Sequence, residues 1–298
     1  MFGQPVETTM LDSLQLVQPT TVAEASEALS QFGDNAKIYA GGAELLLLLR
    51  QGLLQTDILI DVKKIERLHE ISWDRKTLVV GACVTHQSLA TDSSVREHAP
   101  SFAYAESQVA NVRVRNQGTL GGNLCFNDPH SDPGTVLLVH EAAVTLGSRK
   151  GEHEIPLRDF FSDMYATALN ADELLLEIKI PPLPIGMNSA YVRLHRYQRP
   201  TLGVAAAAKM DNGTVEDIRI AVGCVGPTAQ RLPELELKVK GMKIADAKRI
   251  FAEQKNYLRD RLRPVTDLLG GAEYKLYMTS VFLNHALEKA VGNGVPNT

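Results

Sequence analysis

The chain has 298 residues, of which 44% are hydrophobic and 22% charged. This composition is typical of a folded globular protein with one large domain or two to three smaller ones. The net charge of −4 argues against a surface for nucleic acid or anionic membranes, since such surfaces carry a basic excess. The longest apolar run (residues 45–49) is too short to span a membrane, and polar residues near the N-terminus argue against a secretory signal. We therefore expect a cytoplasmic protein with no membrane span and no nucleic-acid partner.

The three cysteines, Cys83, Cys125 and Cys224, are widely spaced and form no C-x-x-C pair. This spacing excludes a disulfide framework and argues against an internal iron–sulfur cluster or a structural zinc site. We expect reduced, mostly buried thiols that behave as small apolar side chains. If the protein carries out redox chemistry, its cofactor must be organic or belong to a partner chain.

The first part of the chain alternates between short strands and helices. A capping-box pattern, Thr21-Val-Ala-Glu24, begins a helix that continues to Leu29. Apolar periodicity and segment length predict the elements that follow: a strand at 37–40, a helix at 43–51, strands at 57–62 and 77–84, a helix from Thr85, a helix at 101–112, an apolar helix after Gly134, and strands at 142–147 and 174–180.

A proline-rich stretch at residues 181–186, Pro-Pro-Leu-Pro-Ile-Gly, is the best candidate for a domain boundary, because no periodic pattern crosses it. Beyond it, Asp211-Asn212-Gly213 is a strong hairpin signal. The remaining predicted elements are strands at 191–197, 204–210 and 215–225 and helices at 244–254 and 272–290. Strands and helices interleave irregularly, so we predict an α+β protein.

Two glycine-rich segments carry the functional signal. The first glycine segment (residues 38–45) contains Gly41-Gly42, and the second (residues 115–124) contains Gly118, Gly121 and Gly122. Glycine tolerates positive φ and has no Cβ, so such backbone can approach a ligand closely and line an anion with N–H groups. Thr119 and Asn123 add side chains that can bind phosphate or sugar oxygens. The alternatives are a tight strand–helix turn without a ligand at the first segment, and a β-bulge or plain loop at the second.

The segment Asp128-Pro-His130-Ser-Asp132 has acidic and histidine side chains at two-residue steps. A metal site is conceivable, but no second cluster of ligands is evident, so we favour a turn with an Asx cap and predict no metal site. Asp132 could instead accept a hydrogen bond from a bound cofactor.

A basic run, Arg193, His195, Arg196 and Arg199, lies on a predicted strand. Alternation places Arg193, His195 and Tyr197 on one face, which is either a solvated strand face or a cationic wall beside an electron-rich ring. No nucleophile–histidine arrangement or carboxylate pair stands out.

Together, the two glycine segments resemble those of the FAD-binding medium subunits of the molybdenum hydroxylases, a family that includes carbon-monoxide dehydrogenase, xanthine dehydrogenase and the bacterial N-heterocycle dehydrogenases. The family's first motif commonly reads Ala-Gly-Gly-(Thr or Ser), and the chain has Ala40-Gly41-Gly42-Ala43. The second commonly reads Arg-Asn-x-Gly-Thr-(Ile or Leu)-Gly-Gly-Asn and is matched at residues 115–123, with Asp132 matching the acidic residue nine positions further on. The resemblance covers essentially the whole chain.

The resemblance implies a fold of the vanillyl-alcohol-oxidase (PCMH) type. An FAD-binding domain at 1–182, with subdomains at about 1–60 and 61–182, would be followed by a C-terminal α/β domain of the CO dehydrogenase flavoprotein type at 187–298. Residues 40–45 and 119–123 would hold the pyrophosphate, and Arg193 takes the place of a lysine near the flavin ring. The implied FAD-binding residues are Tyr39, Ala40, Gly41, Gly42, Ala43, Glu44, Leu45, Gly118, Thr119, Leu120, Gly121, Gly122, Asn123, Asp132, Leu175 and Arg193.

The resemblance also implies an electron-transfer subunit, in which we therefore expect no catalytic acid–base residue. It would take electrons from [2Fe–2S] clusters of a small subunit and pass them to an external acceptor, beside a large molybdopterin subunit in a dimer of heterotrimers. Two departures from the family pattern matter: Ala43 lacks a hydroxyl, and Arg193 is bulkier than lysine. The alternatives are a stand-alone FAD-dependent oxidoreductase of the same superfold, with His195 or Tyr197 as a base, and a structural subunit whose flavin site has decayed.

Overall fold

The structure is a computed structural model that describes residues 14–74, 76–195 and 199–292. The predictions for Arg196 and Tyr197, and for the side chain of His195, lie outside the described residues.

The N-terminal part is a small three-stranded parallel sheet in the order β1-β3-β2, with a helix packed against it. Its elements are β1 (Gln15–Val17), α1 (Val22–Phe32), a 3-10 turn (Gly33–Asn35), β2 (Ala36–Tyr39), α2 (Leu45–Arg50) and β3 (Ile58–Asp61). The predicted capping box is confirmed: the Glu24 N–H donates to Thr21 Oγ1 at 3.1 Å, and the Thr21 N–H donates to the Glu24 carboxylate at 3.2 Å.

The middle part is a five-stranded antiparallel sheet in the order β4-β5-β10-β6-β7, surrounded by short helices. Two 3-10 turns (Val62–Lys64 and Glu66–His69) lead into it. Its elements are β4 (Ile71–Trp73), β5 (Leu78–Gly81), α3 (His86–Thr91), α4 (Ser93–His98), α5 (Pro100–Gln108), α6 (Val112–Gln117), α7 (Leu120–Phe126), α8 (Pro133–Val139), β6 (Ala143–Ser148), β7 (Gly151–Pro156), α9 (Leu157–Phe160), β8 (Phe161–Asp163), β9 (Ala166–Thr167) and β10 (Leu174–Ile180).

The C-terminal part is a four-stranded antiparallel sheet in the order β11-β12-β13-β14. Its elements are β11 (Met187–His195), β12 (Pro200–Asp211), β13 (Thr214–Gly223), β14 (Gln230–Arg231), α10 (Pro233–Val239), α11 (Ile244–Glu253), α12 (Lys255–Leu262) and α13 (Ala272–Val291). The predicted hairpin is confirmed, with Asn212 at φ 45° and Gly213 at φ 80°, both positive as a type I′ turn requires.

The alanines of β12 connect the two larger parts of the molecule. Ala205 and Ala207 belong to the hydrophobic core of the middle part, whereas Ala206 and Ala208 belong to the core beneath the C-terminal helices. Strand alternation thus buries both faces of one strand. The small side chains let α8, which is itself fully buried, lie close to the sheet.

The second glycine segment is neither a plain loop nor a β-bulge. It consists of α6, a break at Gly118 and Thr119, and α7, so Gly121 and Gly122 lie in a helix. Thr119 caps α7 by accepting the Gly122 N–H at 3.1 Å. Gly121 serves helix packing and not an irregular backbone, because a Cβ there would lie 2.5 Å from Ala82 Cβ.

Candidate cofactor-binding site

A cavity of about 560 Å³ lies where the three sheets meet, which is within the usual size range of ligand sites. Of the sequence-predicted residues, thirteen line it: Ala40, Gly41, Gly42, Ala43, Glu44, Leu45, Gly118, Thr119, Gly121, Gly122, Asn123, Asp132 and Leu175. Within the described parts of the chain, Tyr39, Leu120 and Arg193 are not on the cavity wall. Segments far apart in the sequence therefore meet around one space.

The first glycine segment offers free backbone donors to this cavity. Gly42 has φ +74°, and a Cβ on Gly41 would lie 2.1 Å from the Gln117 carbonyl oxygen, so the two glycine segments touch through their backbones. Among the residues that the structure describes, no acceptor receives a hydrogen bond from the N–H groups of residues 41–45. A run of unpaired N–H groups at a strand–helix turn is a suitable site for an anion.

The second glycine segment has the N–H groups of its three glycines engaged within the protein. The Leu120 N–H donates to Val84 O at 3.0 Å and the Gly121 N–H to Ala82 O at 2.9 Å. This segment can therefore offer the cavity mainly side chains. The Ser131 hydroxyl donates to Asn123 Oδ1 at 2.6 Å, which orients the Asn123 amide and leaves its NH₂ group for a ligand.

Two of the residues away from the cavity support its walls. The Lys63 ammonium lies 3.6 Å from the centre of the Tyr39 ring, pairs with Asp61 at 2.7 Å and donates to Ala40 O at 3.3 Å. Tyr39 thus steadies the first glycine segment from behind. Leu120 is fully buried and belongs to the hydrophobic core.

Asp132 and Arg193 form a buried ion pair at 2.9 Å, with side chains 4% and 6% exposed. The Tyr191 hydroxyl donates to the other Asp132 oxygen at 2.5 Å. Burial raises the pKa of Asp132 to about 6, against the opposing effects of Arg193 and Tyr191. Both carboxylate oxygens thus have protein partners, and the pair joins the middle part to strand β11. Arg193 is neither on a solvated strand face nor on the cavity wall.

The segment at 128–132 binds the C-terminal part with every second side chain. Arg199 donates to Asp128 Oδ2 at 2.9 Å, and the His130 ring lies 2.9 Å from Pro200 O and 3.1 Å from Asp267 Oδ2. Asp132 binds β11, as described above. The two-residue spacing that suggested a metal site therefore serves contacts between the middle part and the C-terminal part.

Arg199 lies at the rim of the cavity. Its side chain is 53% exposed and also pairs with Glu44 of the first glycine segment at 3.5 Å. It therefore links all three parts of the protein beside the cavity.

The cysteines fit their predicted character. All three are free, and Cys83 and Cys125 line the cavity. Burial raises the pKa of each of these two thiols to about 12, so both are neutral apolar groups at physiological pH.

Sequence reasoning missed His86 and Glu106 at this site. His86 lines the cavity, and its Nδ1 lies 2.5 Å from Glu106 Oε2. The two residues are twenty positions apart on α3 and α5, and no sequence pattern pairs them.

The described residues contain neither a helix that could span a membrane nor a metal-binding cluster. No described helix is long and apolar enough to cross a membrane. Within the same ranges, no group of three or more His, Cys, Asp or Glu residues is placed to hold a metal ion.

Two protein-family models match the chain. The FAD binding domain in molybdopterin dehydrogenase matches residues 12–183, and the CO dehydrogenase flavoprotein C-terminal domain matches residues 190–290. The first match alone covers more than half of the chain.

Known proteins of this kind are similar to this chain over nearly its full length. The carbon monoxide dehydrogenase medium chain of Hydrogenophaga pseudoflava is 32% identical over 91% of this chain and 95% of its own. The xanthine dehydrogenase FAD-binding subunit of Escherichia coli O157:H7 is 26% identical over 90% and 94%. A solved structure of the Hydrogenophaga pseudoflava carbon monoxide dehydrogenase that lacks the Mo-pyranopterin moiety of its molybdenum cofactor superposes with a TM-score of 0.89 at 31% identity, covering 95% of this chain and 98% of that one. The chain therefore belongs to the family of FAD-binding medium subunits of the molybdenum hydroxylases, and it is an FAD-dependent dehydrogenase subunit.

Proposed function

We propose that this chain is the electron outlet of a molybdenum hydroxylase complex. It would hold FAD, receive electrons from [2Fe–2S] clusters on a small subunit and release them to an external acceptor. A large subunit with the molybdopterin cofactor would act on the substrate. The observation that carries the proposal is the cavity whose wall brings both glycine segments together.

The cavity residues fit the anionic part of a dinucleotide. The cradle formed by residues 41–45 has N–H donors without protein acceptors, and the absence of a side chain at Gly41 lets this segment contact the backbone of Gln117 and Gly118. Ala43 supplies no hydroxyl, so backbone donors carry the contact at that position. When bound, FAD supplies the redox chemistry by accepting electrons singly or in pairs.

We assign roles to the chain's own residues accordingly. Residues 40–45 and the side chain of Asn123 bind the pyrophosphate, and Leu175 gives an apolar wall. Asp132 on the cavity wall and Arg193 behind it fix the C-terminal sheet against the cavity through their 2.9 Å ion pair. Tyr39 and Leu120 support the wall from behind.

The proposal also includes the domain organisation, the partner subunits and the cellular location of the protein. We propose an FAD-binding domain at 1–182, with subdomains at about 1–60 and 61–182, and a C-terminal domain at 187–298. The partners are one large and one small subunit in a dimer of heterotrimers. We place the complex in the cytoplasm, where the three free thiols stay reduced.

Copurification of the tagged full-length chain from its native host tests the proposal. We expect large and small partner chains, together with flavin and iron–sulfur absorbance. A chain that purifies alone and whose flavin is bleached by an organic substrate would instead be a stand-alone oxidoreductase. A colourless chain without acid-releasable FAD would be a structural subunit.

A further inference from the structure

His86 and Glu106 form a buried acid–base pair in the cavity wall. Their side chains are 3% and 0% exposed, with 2.5 Å between His86 Nδ1 and Glu106 Oε2. The other carboxylate oxygen, Glu106 Oε1, is buried and has no hydrogen-bond partner in the described parts of the chain. A buried carboxylate with so few donors requires a compensating proton or cation.

This requirement determines which nitrogen of the His86 ring can donate a hydrogen bond to a ligand. Oε1 has no acceptor for a hydroxyl proton, so the compensating proton lies between Oε2 and Nδ1. If this proton is on the carboxyl, the neutral ring accepts it at Nδ1 and carries its own proton on Nε2. If it is on the ring, the ring is a cation with both nitrogens protonated. In either case the pair has no net charge and Nε2 is protonated. Glu106 thus holds His86 in a form that donates from Nε2.

The position of Nε2 points to an anionic ligand. His86 lines the cavity, and its Nε2 receives no protein partner among the described residues. A Cβ built on Gly118 would lie 3.5 Å from Nε2, and Gly41 touches the backbone of Gln117 and Gly118. Nε2 therefore lies near the place where the two glycine segments meet, in the cavity that residues 41–45 also line.

We propose that the Nε2–H group of His86 donates a hydrogen bond to a phosphate of the cofactor, and that Glu106 is the positioning residue that keeps it a donor. This inference rests on the proposed function, since it needs FAD in the cavity. It assigns one side-chain donor to a cradle otherwise made of backbone and the Asn123 amide.

Two substitutions of His86 distinguish a contact made by Nε2 from one made by Nδ1. Glutamine carries its amide nitrogen near the position of Nε2, whereas asparagine carries it near Nδ1 and leaves the cavity side without a donor. In FAD titrations of the apo full-length chain, we expect His86→Asn to weaken binding about ten- to a hundredfold, the usual effect of losing a hydrogen bond to a charged group. We expect His86→Gln to stay within about threefold of wild type, because the donor is kept.

A double-mutant cycle tests the role of Glu106. In Glu106→Met, Nδ1 loses the carboxyl group that fixes the ring and its tautomer, so Nε2–H is no longer held as a donor. We expect weaker FAD binding in the His86 background and no further loss in the His86→Gln background. Riboflavin, which has no phosphate, should bind equally to wild type and His86→Asn.

Several outcomes would overturn the proposal. These are wild-type FAD affinity in His86→Asn, equal losses in His86→Gln and His86→Asn, and equal losses for FAD and riboflavin. Thermal unfolding of each apo variant identifies those that fail to fold. If His86→Asn is one of them, an equal loss of FAD affinity on Glu106→Met in both backgrounds overturns the proposal. Failure of the wild-type chain to bind any FAD would refute the proposed function itself.

Discussion

Substituting Gly41 by alanine perturbs the contact on which the cavity depends. The new Cβ would lie 2.1 Å from Gln117 O and 3.0 Å from Gly118 Cα, whereas ordinary contact begins at 3.4 Å. Both neighbours are backbone atoms, and Gly118 is fixed by its 2.6 Å N–H bond to Val114 O. The overlap cannot be relieved by a side-chain rotation, so the two glycine segments must move apart.

The expected loss in the free energy of unfolding is about 2–3 kcal/mol, the upper range for overpacking in a close-packed interior. Because the cradle opens at the same time, FAD affinity should fall at least about tenfold. Urea unfolding of the apo chain and FAD titration measure the two effects. Gly271→Ala is the matched control, because a Cβ there meets nothing within 4 Å, and we expect a change below about 1 kcal/mol. A Gly41→Ala chain as stable as the control, with wild-type FAD affinity, would refute the reasoning.

Three further predictions concern the second segment, the ion pair and the rim. Gly122→Val should weaken FAD binding, since its Cβ would lie 2.9 Å from Thr119 Oγ1 and disturb the cap of α7; FAD retention at wild-type level would count against this. The raised pKa of Asp132, about 6, means that the folded chain holds this proton more tightly than the unfolded chain, so the group's contribution to stability is present below about pH 4 and is lost as pH rises through about 6. Unfolding free energies measured from pH 4 to 7 should fall less steeply in Asp132→Asn than in wild type, and an unchanged slope would contradict the assignment. Arg199→Met should change stability by less than about 1 kcal/mol, because the Arg199 side chain is 53% exposed, but should speed FAD release in stopped-flow dilution; an unchanged release rate would show that Arg199 at the rim does not help to retain FAD.

Local sequence signals predicted most elements because each had its own physical cause. The capping box at Thr21, the hairpin glycine at Gly213 and the apolar run Leu174–Ile180 act within a few residues of themselves. Helix ends were less certain: α1 continues to Phe32, three residues past its predicted end.

The features that were missed depend on contacts between distant segments. The sequence shows three glycines near residue 120, but not that Gly121 packs against Ala82 inside a helix. It shows acidic and histidine residues at 128–132, but not that their partners lie about 60 to 140 residues further on. The pairing of His86 with Glu106 likewise exists only when α3 and α5 lie side by side.

The central claim, that the two glycine segments form a cradle for FAD, is tested most directly by the flavin content of the purified full-length chain. Absorbance and acid release should give one FAD per chain for wild type and for Gly271→Ala, and a much lower content for Gly41→Ala. A colourless wild-type chain from flavin-replete cells, with no acid-releasable FAD and none taken up on titration, would contradict the claim.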